Sequence, residues 1–183
     1  IFFKQAKYTL LDQNTFWLCE KPDSVGMVGW DAALTRIATW VKLQDKKTGQ
    51  ILMVVNTHFD HIGTEARRNS ALLIIEKIKE IVGTSPAILT GDFNVSEDWD
   101  AYKTITNNEF ILKDAHKVAG KRTGVDFTYH NFGKIPAEKC EKIDFIFVTP
   151  QIRVISSYIP FSQLNDTLFL SDHNPEIVEL EIK

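Results

Sequence analysis

Residues 87–94, Ala-Ile-Leu-Thr-Gly-Asp-Phe-Asn, combine a short apolar run with an abruptly polar end. The run 87–90 predicts a short buried strand, and Asp92 and Asn94 follow where that strand ends. Taken alone, a Gly-Asp-x-Asn sequence in this position is more often an ordinary turn, because Asp and Asn cap turns well. The segment therefore indicates a functional site only if other strands of the chain also end in polar side chains.

Three further segments pass from apolar residues to acidic, amide or imidazole side chains. They are Asn56-Thr57-His58-Phe59-Asp60-His61, Lys142-Ile143-Asp144-Phe145 and Ser171-Asp172-His173-Asn174-Pro175. In the second, Asp144 interrupts the hydrophobic run 143–148, where an unpaired buried carboxylate would be costly. Asp144 therefore requires a partner: a metal ion, a histidine or backbone donors.

Together the four segments predict a metal-assisted site. Asp92, Asn94 and Asp172 offer hard oxygen ligands without any cysteine, which suits Mg²⁺ or Mn²⁺ better than zinc. A competing pattern uses His58 and the pair Asp60-His61, which resemble the zinc signature of metallo-β-lactamase-type hydrolases with one His-x pair deleted. The deleted imidazole would be needed for the first zinc ion, so a zinc hydrolase is the weaker hypothesis.

The rest of the chain predicts many strands and two helices. The clearest helix is 65–82, where Leu72, Ile75, Ile78 and Val82 recur at helical spacing and Gly83 suits the position after the last turn. The other expected elements are a hairpin of 8–11 with 15–18, a hairpin of 36–43 with 51–57, a short helix at 98–105, and strands at 127–129, 143–148, 153–159 and 177–182. Helices packed outside such sheets predict one α/β sandwich domain over residues 1–183.

Composition narrows the possible functions. The chain has 183 residues, is 44% hydrophobic and carries a net charge of −3, as expected for one soluble globular domain. An acidic balance disfavours a nonspecific nucleic-acid binder, although Arg67-Arg68 forms a local basic pair. His116 and His130 are interpreted as surface or structural histidines.

The cysteines and the ends of the chain carry little information about function. Cys19 and Cys140 are expected to be two ordinary thiols, with a disulfide as the alternative. No run approaches the ~18 apolar residues of a membrane span, and no signal peptide is visible. Because the chain opens on Ile1 without an initiator Met, localisation, export and oligomeric state stay open.

The order of the four segments resembles the endonuclease/exonuclease/phosphatase superfamily, which includes DNase I and the nocturnin-like deadenylases. The stretch Gly-Trp-Asp-Ala-Ala-Leu-Thr-Arg-Ile at 29–37 is similar to a bacterial subgroup related to the nocturnin-like enzymes, although Thr35 stands where that subgroup often has Pro. The resemblance implies a DNase I-like four-layer α/β sandwich, with two packed β-sheets flanked by helices. It also implies divalent-metal-dependent hydrolysis of a phosphate ester, which could belong to a nucleic acid, a nucleotide, a phospholipid head group or a sugar phosphate.

The resemblance assigns roles to particular residues. Asp92 corresponds to the carboxylate that orients and deprotonates the attacking water, and Asn94 to the amide that holds this water or a phosphate oxygen. His58 and His173 correspond to imidazoles that contact the phosphate, with Asp144 as the partner of His173. The implied metal ligand is Asp172, with Asp92 and Asn94 beside it. Substrate-binding roles with structural alternatives fall on Arg36, Asn56, Asp60 and His61.

The resemblance also implies that the domain is N-terminally incomplete. The family's principal metal-binding Glu and an orienting Asn would precede Ile1, within a segment on the order of 80 residues, too much for a marginally stable core to lose. Strands 51–57 and 87–90 are accordingly expected to lack partners. The alternative hypothesis is a catalytically inactive fragment that serves as a binding or structural module.

Overall fold

The computed structural model describes residues 1–108, 110, 112–161, 163–165 and 168–182. In chain order the elements are β1 (Tyr8–Trp17), β2 (Ile37–Asp45), β3 (Ile51–His58), α1 (Thr64–Val82), β4 (Ala87–Asp92), α2 (Asp100–Thr106), β5 (Lys113–Asp114), α3 (Ala115–Val118), β6 (Lys121–Gly124), a 3₁₀ turn (Ala137–Lys139), β7 (Asp144–Val148), β8 (Ile152–Ile159), β9 (Gln163–Asn165), β10 (Leu168–Phe169) and β11 (Ile177–Ile182).

The strands form one large sheet and two smaller ones. The large sheet has the order β1-β2-β3-β4-β7-β5, the second has the order β11-β8-β6, and β9 pairs with β10. The strands β3 and β4 run parallel, joined by α1, and all other neighbours in the large sheet are antiparallel. As a result the carboxyl ends of β3 and β4 and the start of β7 meet at one sheet edge.

The register at that edge sets up the site. His58, the last residue of β3, is paired with Asp92, the last residue of β4. Asp92 is in turn paired with Asp144, the first residue of β7. Three of the predicted functional side chains therefore occupy successive places along one row of the sheet.

Alternation between buried aromatic and polar residues explains why the polar side chains emerge here. Phe59 and Phe93 are fully buried, and their rings contact each other edge to face at 4.9 Å. Phe93 also contacts Phe147, which lies in the core beneath α1. Burial of each Phe side chain stabilises the fold by about 2 kcal/mol or more. Because these two rings are fixed in the core, the residues on either side of them are directed toward the sheet edge.

The opposite face of the large sheet packs on the three-stranded sheet. Leu52 and Val148 of the large sheet are buried with Ile152 and Val154 of β8. The helices α1 and α2 lie on the other face, where the stripe Ile74, Ile75 and Ile78 is buried. The predicted α/β sandwich is thus confirmed.

Most of the predicted elements are present, but several expectations are wrong. The helix 65–82 is found as α1, and Gly83 takes the left-handed φ of 58° that its position needs. Leu72 is exposed, because the buried stripe of α1 passes through Ile74 and Ile75 instead. Residues 8–11 and 15–18 do not form a hairpin. All of them except Leu18 belong to the single strand β1, which pairs with β2 along its whole length, with a bulge between Leu10 and Asp12.

A further wrong expectation concerns missing strand partners. Segments 51–57 and 87–90 lie in β3 and β4, which are interior strands with a hydrogen-bonded neighbour on each side. At 127–129, where a strand was expected, only Tyr129 makes isolated bridges, to Glu141 and His173. Within the described residues, no helix is long and apolar enough to cross a membrane.

Candidate active site

A short hydrogen bond between Asp144 and His173 forms the centre of the site. His173 Nδ1 lies 2.7 Å from Asp144 Oδ2, and because an ionised carboxylate only accepts, Nδ1 carries the proton. This hydrogen bond raises the pKa of His173, helped by the charges of Asp92 and Asp172 and opposed by partial burial. The partner that Asp144 required is therefore a histidine, and the imidazolium form is favoured.

Asp92 lies between two imidazoles. Its Oδ2 is 4.0 Å from His173 Nε2 and 3.3 Å from His58 Nε2. Burial raises the pKa of Asp92, the neighbouring charge of Asp144 raises it further, and a hydrogen bond from the Asn94 amide opposes both. A carboxyl whose pKa is moved upward toward neutrality is suited to accept a proton from water.

His58 differs from His173 in its electrostatics. Burial lowers the pKa of His58, and the attraction of Asp92 offsets this only in part. Its side chain is still 56% exposed, so it can meet a ligand in the cleft. Two imidazoles beside one carboxylate thus have pKa values moved in opposite directions, which separates a neutral from a charged role.

The carboxylates fit a divalent cation. One ligand atom each from Asp92, Asp144 and His173 lie within 4.8 Å of one another. Burial raises the pKa of Asp92 most, and the nearby charge of Asp144 raises it further; a cation would relieve the repulsion between these two carboxylates. Asp172 falls outside this group of three, and its backbone oxygen accepts hydrogen bonds from the amides of His130 and Asn131.

Asn94 is fixed in the loop after β4. Its backbone has a φ of 50°, which Asn tolerates, and its Nδ2 donates to the carbonyl of Phe59 at 3.0 Å. The amide of Asn94 donates to Asp92 Oδ1 at 2.8 Å. This residue therefore ties the loops after β3 and β4 together beside the Asp92 carboxylate.

The other predicted substrate-binding residues divide into two groups. Asn56 is exposed, accepts from Thr90 Oγ1 at 2.9 Å, and lines a cleft of about 410 Å³ with His58, Asp92, Asp144 and Glu176. Asp60, by contrast, is 1% exposed. Only Asn56 of these two can meet a ligand without rearrangement.

Asp60 organises the loop that follows His58. Its carboxylate accepts from the amides of Leu34, Ile62 and Gly63 and lies 3.5 Å from Arg36 Nε. Burial alone would raise the pKa of Asp60, but these backbone donors outweigh it and lower the pKa strongly. A structural role for Asp60, in ordering the loop rather than binding substrate, thus accounts for its contacts.

Arg36, directly before β2, contacts His61 in the loop after β3. Arg36 Nη2 lies 3.1 Å from His61 Nδ1, and this contact leaves His61 exposed. Neither residue is among those that line the cleft of Asn56 and His58. Their contacts are with Asp60 and with each other.

Some contributors were missed from the sequence. Thr128 Oγ1 accepts from the amides of Ile143 and Asp144, and the Tyr129 ring lies 5.0 Å from that of His173. Nothing in the short segment around Thr128 signals these contacts. Lys142 and Glu176 were also missed, although each lies within three residues of the Asp144–His173 pair.

The histidines and cysteines outside the cleft behave as expected. His116 and His130 are buried, 7% and 1% exposed, and are structural. Cys19 and Cys140 are both free thiols. The disulfide alternative is therefore wrong for this structure.

The sandwich and its carboxylate–imidazole cluster define the DNase I-like class of α/β proteins. The family described as "Endonuclease/Exonuclease/phosphatase family" matches residues 7–173, and the chain belongs to this family, whose members hydrolyse phosphate esters. This family match rules out the metallo-β-lactamase-type alternative.

Solved structures agree with the assignment. An endonuclease/exonuclease/phosphatase from Bacteroides vulgatus is 63% identical with a TM-score of 0.95 and covers 99% of this chain. A mannosyl-6-phosphatase from Bacteroides thetaiotaomicron is 34% identical with a TM-score of 0.89, over 98% of the chain. The human nocturnin catalytic domain, at 17% identity and a TM-score of 0.71 over 99% of the chain, shares the fold.

The relatives are longer than this chain. An uncharacterized protein of Acanthamoeba polyphaga mimivirus is 30% identical over 175 residues, which are 90% of this chain and 63% of the viral protein. The chain covers 69% of each of the two Bacteroides structures and 62% of the nocturnin domain. It thus spans about two thirds of the proteins it matches.

Proposed function

We propose that the protein hydrolyses a phosphate ester by in-line attack of a water molecule that Asp92 activates. The observation that carries this proposal is the row of polar contacts from Asp144 through His173 and Asp92 to His58. The contact distances along that row are 2.7, 4.0 and 3.3 Å. His173, Asp92 and His58 therefore lie close enough together to act on one phosphate group, with Asp144 behind His173.

Each residue has a distinct task in this proposal. Asp92 accepts a proton from the water as its oxygen bonds to phosphorus, and the bond to the ester oxygen breaks, so that the leaving alkoxide takes up a proton from solvent. The Nε2–H of His173, held in place by Asp144, donates to a non-bridging phosphate oxygen where negative charge accumulates. His58 and Asn94, on either side of Asp92, hold the water or another phosphate oxygen.

A divalent cation, Mg²⁺ or Mn²⁺, completes the site we propose. When bound, it would supply Lewis-acid stabilisation of charge on the phosphoryl and leaving oxygens. Asp92, Asn94 and Asp172 are the residues proposed to hold it, and Asp144 lies close enough to Asp92 to contribute charge. The oxygen-rich donor set supports this choice over zinc.

For the substrate we favour the phosphate ester of a small molecule, such as a sugar phosphate. The net charge of −3 gives no general attraction for a polyanion. The mannosyl-6-phosphatase among the relatives, at 34% identity, supports the same choice. A nuclease acting on single strands or ends is the second candidate, supported by the family to which the chain belongs.

Phosphate release with and without metal tests the proposal. The product of the complete reading frame would be treated with EDTA and assayed on mannose 6-phosphate, bis(p-nitrophenyl) phosphate and a single-stranded oligonucleotide, before and after addition of Mg²⁺ or Mn²⁺. We expect metal-dependent turnover with a preference for the sugar phosphate. No turnover of any of the three with either metal would contradict the proposal and favour the binding-module alternative.

A further inference from the structure

A buried ion pair lies beside the Asp144–His173 hydrogen bond. Lys142 Nζ is 2.9 Å from Glu176 Oε2, and the two side chains are 7% and 3% exposed. Lys142 lies two residues before Asp144, and Glu176 lies three residues after His173. The same two chain segments are therefore joined twice, once by the ion pair and once by the Asp144–His173 pair.

Lys142 also contacts the backbone of Asp144 directly. Its ammonium group donates to the Asp144 carbonyl at 2.8 Å and lies 3.8 Å from the centre of the Phe145 ring. Phe145 is 1% exposed and belongs to the main core. The lysine thus fixes the first residue of β7, the residue whose carboxylate orients His173.

Glu176 is held from its other side by a polar chain. Ser157 Oγ donates to Glu176 Oε1 at 3.3 Å, and because the hydroxyl has a single proton, it accepts from His116 Nδ1 at 2.8 Å. Burial raises the pKa of Glu176, while the adjacent Lys142 lowers it. The carboxylate has little freedom to move, since partners flank both of its oxygens.

Such an arrangement is costly if its purpose is stability alone. A buried ion pair often contributes no more than an apolar pair of the same volume, because both charges must be desolvated. The ion pair nevertheless fixes the relative position of its two side chains, and the neighbouring Asp144–His173 hydrogen bond needs its two residues held in a fixed position. The location of the pair, between the two segments that carry the dyad, indicates its role.

We propose that Lys142 and Glu176 are positioning residues that hold Asp144 and His173 in register for the reaction. The expected loss of turnover rests on the proposed hydrolysis, whereas the expected change in the Asp144–His173 hydrogen bond does not. If the pair is lost, the two segments can slide, and the hydrogen bond from His173 Nδ1 to Asp144 lengthens. Glu176 lines the cleft, but neither charge of the pair is assigned a contact with the phosphate, so kcat should change more than KM.

Two readouts on a double variant test the inference. Lys142→Met with Glu176→Leu removes both charges and should fold, because the apolar replacements need no desolvation. We expect kcat to fall about tenfold with KM within about twofold. We also expect the downfield proton NMR signal of His173 Nδ1–H, assigned with His173→Gln, to shift upfield or broaden away.

The exposed pair Arg153–Glu181 provides the matched control. It also joins two neighbouring strands, at 3.7 Å, but its side chains are 66% and 59% exposed. Glu181→Gln should leave kcat and the His173 signal unchanged. The proposal is overturned if the double variant keeps the wild-type signal and kcat, or if it does not fold, since the pair would then serve the fold as a whole.

The two levels of failure can be told apart. If the wild-type protein hydrolyses no phosphate ester, the proposed function fails, and the NMR signal still tests the positioning role. If wild type is active and the variant is equally active with an unchanged signal, only the positioning role fails. The single variant Glu176→Gln, which keeps the volume but leaves Lys142 unpaired, should show the same upfield shift, and an unchanged signal in it would also count against the positioning role.

Discussion

At the scale of single residues, the need of a buried charge for a partner was the most informative signal in the sequence. Asp144 inside an apolar strand required a donor, and the donor is His173, at 2.7 Å. Asp60 was harder to interpret, because a conspicuous acidic residue beside two histidines suggests chemistry. Asp60 is buried and accepts hydrogen bonds from backbone amides, one of which, that of Leu34, lies far away in the sequence. No local sequence pattern reveals this contact.

Asp60→Asn should lower the free energy of unfolding by about 2–4 kcal/mol, because a buried carboxylate with several donors loses its charge-assisted hydrogen bonds. Urea denaturation would measure the change. Asp45→Asn is the control, since Asp45 accepts from Lys47 and Thr48 amides in an exposed turn, and it should cost less than about 1 kcal/mol. Equal costs for the two variants would show that burial of Asp60 contributes nothing.

His130 should make stability depend on pH. Burial lowers its pKa, and within the described residues its Nε2 has no hydrogen-bond partner. Because the unfolded chain then binds the proton more readily, stability is full above the unfolded pKa of about 6.5 and decreases as pH falls below it. His130→Asn should therefore lose less stability than wild type between about pH 7.5 and about pH 5.5.

Thermal melts across this range would measure the pH effect. The exposed His61 offers the control, because His61→Asn should follow the wild-type profile. If His130→Asn also follows it, the buried imidazole is not the group that links stability to pH.

At the scale of elements, periodicity predicted the long segments well and the edge strand badly. The helix α1 and the strands β2, β3, β4, β7, β8 and β11 match expectations because burial imposes a pattern on them. The strand β1 is an exposed edge, so its residues Asp12 to Asn14 are polar without forming a turn. The strands β6, β9 and β10 were missed because they are short and mostly exposed.

Gly91 shows how closely two elements must approach to form the site. A Cβ at this position would lie 2.2 Å from the carbonyl oxygen of Thr57 on the neighbouring strand. Gly91→Ala should push β4 from β3, destabilise the protein by about 1–3 kcal/mol and lower turnover, because His58 and Asp92 end those two strands.

Differential scanning calorimetry and steady-state kinetics would together measure the effect of Gly91→Ala. Gly120→Ala is the control, since its Cβ would lie 3.1 Å from the oxygen of Ile155, a much milder contact, and away from the cleft. Wild-type kcat in Gly91→Ala would show that the spacing of β3 and β4 does not matter for the site.

At the scale of the whole molecule, the order of the four polar segments was enough to identify the family and the sandwich. It was not enough to place the second sheet, whose strands β8 and β11 pair with each other while β6 joins from a polar segment. Their half-buried residues, including Val178 and Leu180, pack on the large sheet only in part. Packing of that kind depends on the complete tertiary structure.

We expect the 183-residue chain alone to release phosphate at or near background, and the product of the complete reading frame to be active. The reason is that the relatives are about one and a half times as long, as the 69% coverage shows, and that the resemblance to the family implies a principal metal-binding Glu ahead of the matched region. Parallel assays with Mg²⁺ on the two proteins would measure this. A fully active 183-residue chain would mean that a carboxylate within it binds the metal. Asp144, beside Asp92, would then be the first candidate, because Asp60 is buried and held by backbone amides.

The most direct test of the account is the turnover of Asp92→Asn and His173→Ala in the product of the complete reading frame, with saturating Mg²⁺ and substrate. Each change removes a group that acts on the reacting phosphate, so each should lower kcat at least ~100-fold. The melting temperature should barely move, because both side chains lie at the cleft rather than in the core. A loss below about tenfold for both variants would contradict the roles assigned to Asp92 and His173.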